Sequence, residues 1–356
     1  MKELIDFVKI SKYAGERFDL IQAGGGNSSV KLSNGTMLIK ASGFLLSDVG
    51  NDHGYSTVYH KKISDIVNSK SILNEPNKRK REDIATSLVH DYTVDKNIRP
   101  SIETLLHSFL LKYTLHTHPV AVNMILIRNN CKEIIESIFS NDRIAFVKYE
   151  TPGVDLAIEL KKVLRDHKEI PLIIFLQNHG LIITSDHIED VYKLNEYVLS
   201  MIEKYLKIDL NKYKLTNVIS DYLRSDEGFN KISYLSDDIF LNNKLREDES
   251  LFLNTPFCPD GVVFCGIHPL FIEELSNKNS LIKYKQKYND LPKVVIYRNN
   301  IFFIGNNIKK AKEMEEVMKF QILVLSHNLK SKKNFLKKEE LAYLCNWEAE
   351  KFRQNI

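Results

Sequence analysis

The sequence predicts a layered α/β fold, with one larger domain followed by a smaller α/β extension. Short apolar runs typical of strands alternate with amphipathic segments typical of helices along the whole 356-residue chain. Hydrophobic residues make up 43% of the chain and charged residues 27%, so it is too apolar to be disordered and long enough to bury a core. A polar stretch near residues 207–214 is the predicted boundary, which gives domains at residues 1–210 and 211–356.

The first domain is predicted to open with an amphipathic helix over residues 3–17. After a glycine run, alternating residues around an Asn34-Gly35 turn predict a β-hairpin. Apolar periodicity and turn residues predict the remaining elements, which are helices at 83–92, 101–111, 119–127 and 188–206 and strands at 114–118, 172–176 and 181–184.

The second domain is predicted from three strand-like runs and two amphipathic stretches, namely strands at 262–265, 294–297 and 301–304 and helices at 309–327 and 338–353. Cys258 and Cys265 lie close to His268, but their spacing fits no common zinc pattern, so core cysteines on a strand are favoured. No internal repeat stands out in the sequence.

Composition and charge argue against several classes of partner. The net charge is +4, and the basic run at residues 78–81 is followed at once by acids, with no interleaved aromatic residues to stack on bases. No apolar run approaches the roughly 18 residues of a membrane helix, and the N-terminus lacks the apolar stretch of a signal peptide. Four scattered cysteines do not make a disulfide framework. We therefore expect a cytoplasmic protein with no membrane or nucleic-acid partner.

The sharpest local feature is a pair of histidines, His116 and His118, on a predicted strand. Residues two apart on a strand point to the same side, so both imidazoles face one point in space. His179 lies in a predicted turn between two strands, where it can supply a third ligand to a divalent metal such as Zn²⁺. Taken alone, the pattern also fits ordinary half-buried histidines bonded to backbone, and both interpretations stay open.

Glu103 is the candidate acid/base. Ser101 is a good helix N-cap, which places Glu103 at the second helical position, where the helix dipole favours the carboxylate form. A carboxylate beside a metal can abstract a proton from carbon next to a carbonyl. Glutamate at a helix start also serves stability alone, so its position leaves both roles open. His107, one helical turn later, is expected either to orient this glutamate or to pack.

A third candidate is an anion-binding turn. The glycine-rich residues 24–28 open the predicted hairpin, and residues 41–43 close it beside Lys40. Glycines let backbone N–H groups approach an anion, while Asn and Ser side chains add hydrogen bonds. A dinucleotide site needs its glycines between a strand and a helix, which is not the context here. A tight turn that binds nothing also explains these residues.

Together these stretches resemble the class II aldolase/adducin family. The resemblance covers about residues 3–206, and the matching segments at 24–29, 40–43, 100–107, 115–119, 151–156 and 176–181 follow the family's order. Within the family, the chain is most similar to the aldolase part of bifunctional rhamnulose-phosphate aldolase/dehydrogenases. No room remains for the dehydrogenase half, so a free-standing aldolase-like protein is expected.

The resemblance implies a three-layer α/β/α domain with a mixed, mostly antiparallel sheet, assembled as a homotetramer with active sites between subunits. It implies that His116, His118 and His179 bind a divalent metal, Zn²⁺ above others, and that Glu103 is the catalytic acid/base. The residues that match the phosphate site of phospho-sugar aldolases are Gly26, Asn27, Ser42, Gly43 and Ser101, with Lys40 beside them.

The implied activity is cleavage or formation of a carbon–carbon bond in a small, phosphorylated sugar or sugar-like ketose, through a metal-stabilised enediolate. Ile102 departs from the family, because many phospho-sugar aldolases have a second hydroxyl residue there, which leaves the substrate's anionic group open. An epimerase, a dehydratase or a 3-oxo-tetronate phosphate decarboxylase would use the same intermediate. A non-catalytic scaffold, as in adducin, is the alternative from a different class. The proton donor to the leaving aldehyde is expected to be one of 16 tyrosines, in this or a neighbouring subunit.

Overall fold

A computed structural model of the protein describes residues 2–224, 231–327 and 332–346. The chain divides into two compact units, Met1–Leu210 and Asn211–Ile356. Each unit contains its own sheet and its own buried cores. Among the helices of these described residues, none is long and apolar enough to cross a membrane.

The first unit contains a seven-stranded sheet. Its strands are β1 (Asn27–Lys31), β2 (Met37–Lys40), β3 (Tyr55–Val58), β4 (Tyr113–Thr117), β5 (Ile144–Val147), β6 (Ile173–Leu176) and β7 (Gly180–Ser185). The spatial order is β3-β2-β1-β4-β7-β6-β5. Only β5 and β6 run parallel, whereas all other neighbours are antiparallel. The expected mixed, mostly antiparallel sheet is confirmed.

Helices cover both faces of this sheet. They are α1 (Lys2–Gly15), α2 (His60–Ile66), α3 (Lys70–Leu73), α4 (Lys78–Asp91), α5 (Thr104–Ser108), α6 (Val120–Leu126), α7 (Cys131–Ile138), α8 (Val154–Arg165) and α9 (Ile188–Leu206). Leu115 and Ile183 face a core with α1, α6, α7 and α9, while Ile174 and Ile182 face a second core with the other helices. Because alternate strand residues point to opposite faces, the two cores create the three-layer α/β/α fold.

Several short elements of the first unit were not predicted, namely β3, β5, α2, α3 and α7. Segments of four to eight residues give too few repeats for a period to stand out. Helix α8, in contrast, carries a helical apolar period at Val154, Ala157 and Leu160 that would have predicted it.

The second unit contains a four-stranded sheet in the order β8-β11-β10-β9, built from β8 (Ile232–Leu235), β9 (Leu270–Ile272), β10 (Val294–Tyr297) and β11 (Asn300–Gly305). Its helices are α10 (Asn211–Leu223), α11 (Ile239–Glu247), α12 (Pro259–Cys265), α13 (Asn279–Tyr288), α14 (Ile308–Ser326) and α15 (Lys338–Asn346). The part of the last predicted helix beyond residue 346 lies outside the described residues.

The strand predicted at residues 262–265 is wrong, because this segment belongs to helix α12. Cys258 is the N-cap and Pro259 the first helical residue, a position where proline is favoured since its missing N–H is not needed. A run of four apolar residues cannot by itself distinguish a buried helix from a strand.

The second unit repeats the architecture of the later half of the first unit. The element order β4-α6-α7-β5-α8-β6-β7-α9 recurs as β8-α11-α12-β9-α13-β10-β11-α14. Both sheets place these strands in the same spatial order, β4-β7-β6-β5 and β8-β11-β10-β9, with two antiparallel pairs followed by one parallel pair. The closing helices α9 and α14 are both 19 residues long. The sequence alone did not indicate this repeat, because the two copies share an apolar pattern and few identical residues.

Gly15 allows the end of α1 to contact a 3₁₀ turn at Leu46–Asp48. A Cβ atom on Gly15 would lie 2.1 Å from the Ser47 amide nitrogen. We expect Gly15→Ala to lower the free energy of unfolding by about 1–3 kcal/mol, because a backbone atom must move. Gly24→Ala is the matched control, since a Cβ there meets nothing within 4 Å. Urea unfolding measures both variants, and equal stability would contradict the close contact.

Candidate metal centre

The two histidines of the predicted pair lie at the end of strand β4. His116 lies within β4, and His118 follows its last residue. Strand β4 pairs antiparallel with β7, with Thr117 opposite Leu181. The end of β4 therefore lies beside the start of β7 and the turn that precedes it. That turn, residues 177–179, contains His179 and is made possible by Asn178 with a φ of +55°.

The three imidazoles converge on one point. The Nε2 atom of His116 lies 3.3 Å from that of His179 and 3.2 Å from that of His118. Nitrogen ligands held at about 2.0–2.1 Å from a tetrahedral zinc ion are about 3.3 Å apart, so the separations fit such an ion. Within the described residues, these histidines form the one group of metal-ligating side chains close enough to share a cation.

A backbone contact orients the His116 ring, and burial keeps the His118 ring neutral. The Nδ1 of His116 bonds the Leu181 carbonyl at 3.1 Å, and as the donor it leaves the Nε2 lone pair for a metal. Burial, with His116 and His179 nearby, lowers the pKa of His118 to about 3. This keeps the His118 ring neutral, as ligation requires. A Cβ on Gly25 would lie 2.8 Å from the His118 Nδ1 atom, so only glycine lets the turn approach this ring.

Glu103 lies at a different helical position from the predicted one. It is the N-cap of α5, which spans Thr104–Ser108, so the expected Ser101 cap and the helix from 101 to 111 are wrong. Residues 101–103 instead form a turn, in which the Glu103 amide donates to the Ser101 hydroxyl at 3.3 Å and the Thr104 amide to the Ser101 carbonyl. The local hydroxyl of Ser101 thus stabilises the turn rather than the helix.

The Glu103 carboxylate lies against the imidazoles. Its Oε1 is 3.1 Å from the His179 Nε2 and 3.5 Å from the His116 Nε2, while its Oε2 accepts from the Asn27 amide at 2.5 Å. Burial alone would raise the pKa of Glu103, but His116 and His179 hold it well below its usual range. The site therefore contains an ionised carboxylate with one oxygen fixed and the other facing the ligand cluster.

Asn27 has a role that the sequence did not reveal. It was expected to bind phosphate, whereas the structure places its amide on Glu103. Asn27 lies opposite His116 in the β1–β4 pairing, so strand register brings amide, carboxylate and imidazole together. This contact can be predicted from the sequence only when the β1–β4 pairing is already known.

His107 anchors the helix that follows Glu103. It is fully buried, and its Nδ1 bonds the Ser29 hydroxyl on β1 at 2.7 Å. Burial lowers its pKa to about 3, so the ring is neutral. His107 was expected either to orient Glu103 or to pack. Its contacts fit the second role, because they pack α5 against β1.

The candidate anion-binding residues lie on neighbouring loops. The Ser42 amide donates to the Arg99 carbonyl at 2.8 Å, and the Ser101 amide to the Lys40 carbonyl at 3.2 Å. The buried Lys40 ammonium donates to the Phe44 carbonyl at 2.8 Å and, over 3.4 Å, to the Gly24 carbonyl. Lys40 therefore joins the two loops through their carbonyls.

The glycines differ in their surroundings. Gly26 has a φ of +66°, and a Cβ there would lie 2.7 Å from the His116 carbonyl oxygen, so it packs tightly beneath the ligand strand. Gly43 has a φ of +88° and open space around it, and Ser42 beside it is exposed. Residues 42 and 43 are thus accessible to a ligand, whereas Gly26 serves close packing.

The three candidate ligand histidines of the first unit have no counterparts at the matching positions of the second unit. Leu235 pairs with Phe302 on β11 as His116 pairs with Ile182 on β7, so Leu235 replaces the first histidine. Asp237 replaces the second and carries no imidazole. The β10–β11 turn consists of two residues, 298 and 299, against the three residues of the β6–β7 turn, so His179 has no counterpart.

The sulfur candidates of the second unit do not form a metal cluster within the described residues. Cys265 is buried on helix α12, not on the predicted strand, and its thiol donates to the Met314 carbonyl at 3.4 Å. Burial raises the pKa of this thiol to about 12, which keeps it protonated. A protonated thiol is a poor ligand, since metals bind the thiolate.

We expect the metal-free protein to bind one equivalent of Zn²⁺ per chain, because the second unit lacks the ligand positions. The double variant His116→Ala/His179→Ala should bind none, while His53→Ala, which removes an exposed histidine, should bind one. Titration calorimetry with elemental analysis measures the stoichiometry. Two equivalents in the parent protein, or zinc retained by the double variant, would contradict this assignment.

The first unit matches a known protein family. The profile of the family described as Class II Aldolase and Adducin N-terminal domain matches residues 6–206. The Bacillus subtilis protein named uncharacterized oxidoreductase YuxG is 29% identical over 223 residues, which is 60% of this chain and 31% of that protein. The chain thus spans about a third of the length of this curated relative.

Comparison with solved structures finds, among others, two that are similar to part of this chain. The N-terminal class II aldolase domain of a conserved Thermoplasma acidophilum protein is 23% identical, covers 57% of this chain and 93% of its own, and has a TM-score of 0.49. The L-fuculose-1-phosphate aldolase of Thermus thermophilus is 15% identical, covers 58% and 94%, and has a TM-score of 0.37.

The family profile covers more than half of the 356 residues and includes Glu103 and the three histidines. The chain therefore belongs to the class II aldolase and adducin N-terminal domain family.

Proposed function

We propose that the protein is a metal-dependent aldolase that cleaves or forms a small, phosphorylated ketose. The observation that carries this proposal is the Glu103 carboxylate, 3.1 Å from the His179 Nε2 atom and beside two further converging imidazoles. This arrangement combines a cation site with an adjacent base. Metal-assisted retro-aldol cleavage uses both, because a proton moves while negative charge develops on a carbonyl oxygen.

The residues have distinct roles in this proposal. His116, His118 and His179 would hold a divalent cation, and their nitrogen donors favour Zn²⁺. A cation there supplies a Lewis acid for the substrate's carbonyl oxygen. Glu103 takes or returns a proton through Oε1, while Asn27 fixes Oε2 at 2.5 Å and so sets the direction of the free oxygen.

The exposed residues Ser42 and Gly43 are the proposed contacts for the substrate's phosphate, together with Ser101. Ile102 is 49% exposed, but its side chain has no hydrogen-bond donor to offer to the phosphate. Because the Lys40 ammonium is already bonded to loop carbonyls, its charge supports the phosphate without direct contact. We propose that a tyrosine, of this chain or of a neighbouring subunit in a homotetramer, protonates the leaving aldehyde.

A screen of ketose phosphates and free ketoses against the zinc-loaded protein tests this proposal. Release of dihydroxyacetone phosphate and an aldehyde supports the aldolase. Carbon dioxide would instead indicate a decarboxylase, an isomer would indicate an epimerase, and loss of water would indicate a dehydratase. A protein that binds zinc and turns over no substrate would support the scaffold alternative. Light scattering of the same sample measures the oligomeric state, for which a tetramer is expected.

Glu103→Gln should lower kcat by about 10²–10⁴-fold, because the amide cannot transfer the proton. Zinc binding should persist in this variant, since Glu103 is not one of the three ligands. Glu133→Gln, on an exposed face of α7, is the control and should keep the parent kcat. A Glu103→Gln variant with parent turnover would remove the proposed base.

Ser42→Ala should raise the KM for a phosphorylated ketose by about 10-fold, the loss expected for one hydrogen bond to a charged group. The KM for the corresponding free ketose should not change. Ser64→Ala is the control, because its hydroxyl donates to the Lys61 carbonyl within helix α2. Equal effects on both substrates would exclude Ser42 from the phosphate site.

A further inference from the structure

A buried ion pair lies in the loop between α1 and β1. Arg17 is the largest fully buried side chain among the described residues. Its Nε donates to the Asp19 Oδ1 at 3.0 Å, and its Nη2 donates to the Asp19 Oδ2 at 2.6 Å. Both side chains are 1% exposed. This is a two-pronged contact that only the planar guanidinium can make.

The same loop holds the backbone of the metal-ligand segment. The His118 amide donates to the Leu20 carbonyl at 2.9 Å, and the Val120 amide donates to the Asp19 carbonyl at 2.9 Å. The loop also bonds to itself, because the Leu20 and Ile21 amides both donate to the Arg17 carbonyl. The carbonyls that accept hydrogen bonds from the His118 and Val120 amides therefore belong to the ion-paired Asp19 and to its neighbour Leu20.

The loop continues into the glycine turn that contacts the His118 ring. The Gly25 amide donates to the Gln22 carbonyl at 3.2 Å, and a Cβ on Gly25 would lie 2.8 Å from the His118 Nδ1. A Cβ on Gly26 would clash with the Ile21 side chain at 2.2 Å. His118 is thus held at its backbone by Leu20, and Gly25 of the same continuous segment lies close to its ring.

The Arg17 guanidinium is also tied to the helix layer. Its Nη1 donates to Glu196 on α9 and to the Tyr13 hydroxyl on α1 at 3.4 Å. Although burial opposes the charged form, Asp19 raises the pKa of Arg17 above its ordinary value. The guanidinium therefore stays charged and links α1, α9 and the loop.

We propose that Arg17 is a positioning residue for the metal ligand His118, acting through its ion pair with Asp19. This inference rests on the proposed metal site. The guanidinium holds the loop in the conformation that places the Leu20 carbonyl against the His118 amide and the glycine turn against the His118 ring. Arg17 does not touch substrate or metal, so its effect is on the geometry of one ligand.

Arg17→Lys tests this role, because it keeps the charge and loses the two-pronged contact. Zn²⁺ affinity should fall by about 10–100-fold, the loss typical for partners that orient a ligand. The Co²⁺-loaded variant should show a weaker visible absorption band, since a displaced His118 leaves a less tetrahedral ion. Hydrogen–deuterium exchange of metal-free protein should accelerate in the peptide that contains residues 113–120.

Arg81→Lys is the matched control in the same unit. Arg81 also contacts a carboxylate through two nitrogens, with Nε and Nη2 at 3.0 and 2.8 Å from the Asp155 Oδ1. Its pair joins α4 to α8 and does not touch the His118 segment. Arg81→Lys should keep the parent Zn²⁺ affinity, Co²⁺ spectrum and exchange rate in residues 113–120.

The outcomes separate the two proposals. Equal affinity and exchange in Arg17→Lys and the parent would overturn the positioning role, as would equal losses in Arg17→Lys and Arg81→Lys. A parent protein that binds no Zn²⁺, with exchange still accelerated only in Arg17→Lys, would overturn the metal site and keep the link to the His118 backbone. If Arg17→Lys does not unfold cooperatively, Asp19→Asn tests the same link from the other side of the pair, with the same expected results.

Discussion

The antiparallel pairing of β4 with β7 is the constraint on which the rest of the site depends. It places the end of β4, with its two histidines, beside the turn that carries His179. A shift of this register by one residue would turn His116 to the other face of the sheet. The buried apolar residues that alternate with the histidines prevent such a shift, since Leu115 and Ile183 would leave their core. The packing of the sheet thus fixes the geometry of the site.

The second pairing, β1 with β4, positions the candidate base, Glu103. It brings Asn27 opposite His116, and Asn27 in turn holds Glu103. Three segments far apart in sequence therefore meet at one end of the sheet. Burial strengthens the electrostatic interaction between the carboxylate and the imidazoles, because both are removed from water together. The neighbouring imidazoles of His116 and His179 lower the pKa of the glutamate against the effect of its burial.

The sequence predicted the parts of the site that depend on local geometry. Side chains alternate between the two faces of a strand, and this alternation is enough to place His116 and His118 on one side. The turn residues around His179 are enough to predict its hairpin. The family resemblance then joined these parts. The contact of Asn27 with Glu103 and the anchoring of His107 on Ser29 could not be predicted, because both depend on which strands are neighbours. The turn at residues 101–103 was missed because Ser101 resembles a helix cap and instead bonds within a turn.

The repeat in the second unit shows that the fold forms without the residues of the site. Its sheet keeps the strand order and the closing helix, yet Leu235 stands in place of His116 and the turn is one residue shorter. The fold needs only the apolar pattern, whereas the site needs particular side chains at particular registers. X-ray absorption at the zinc edge of the zinc-loaded protein measures whether the three imidazoles bind one ion. We expect three imidazole ligands, with nitrogen at about 2.0–2.1 Å. A first shell of oxygen or sulfur without histidine scattering would contradict it.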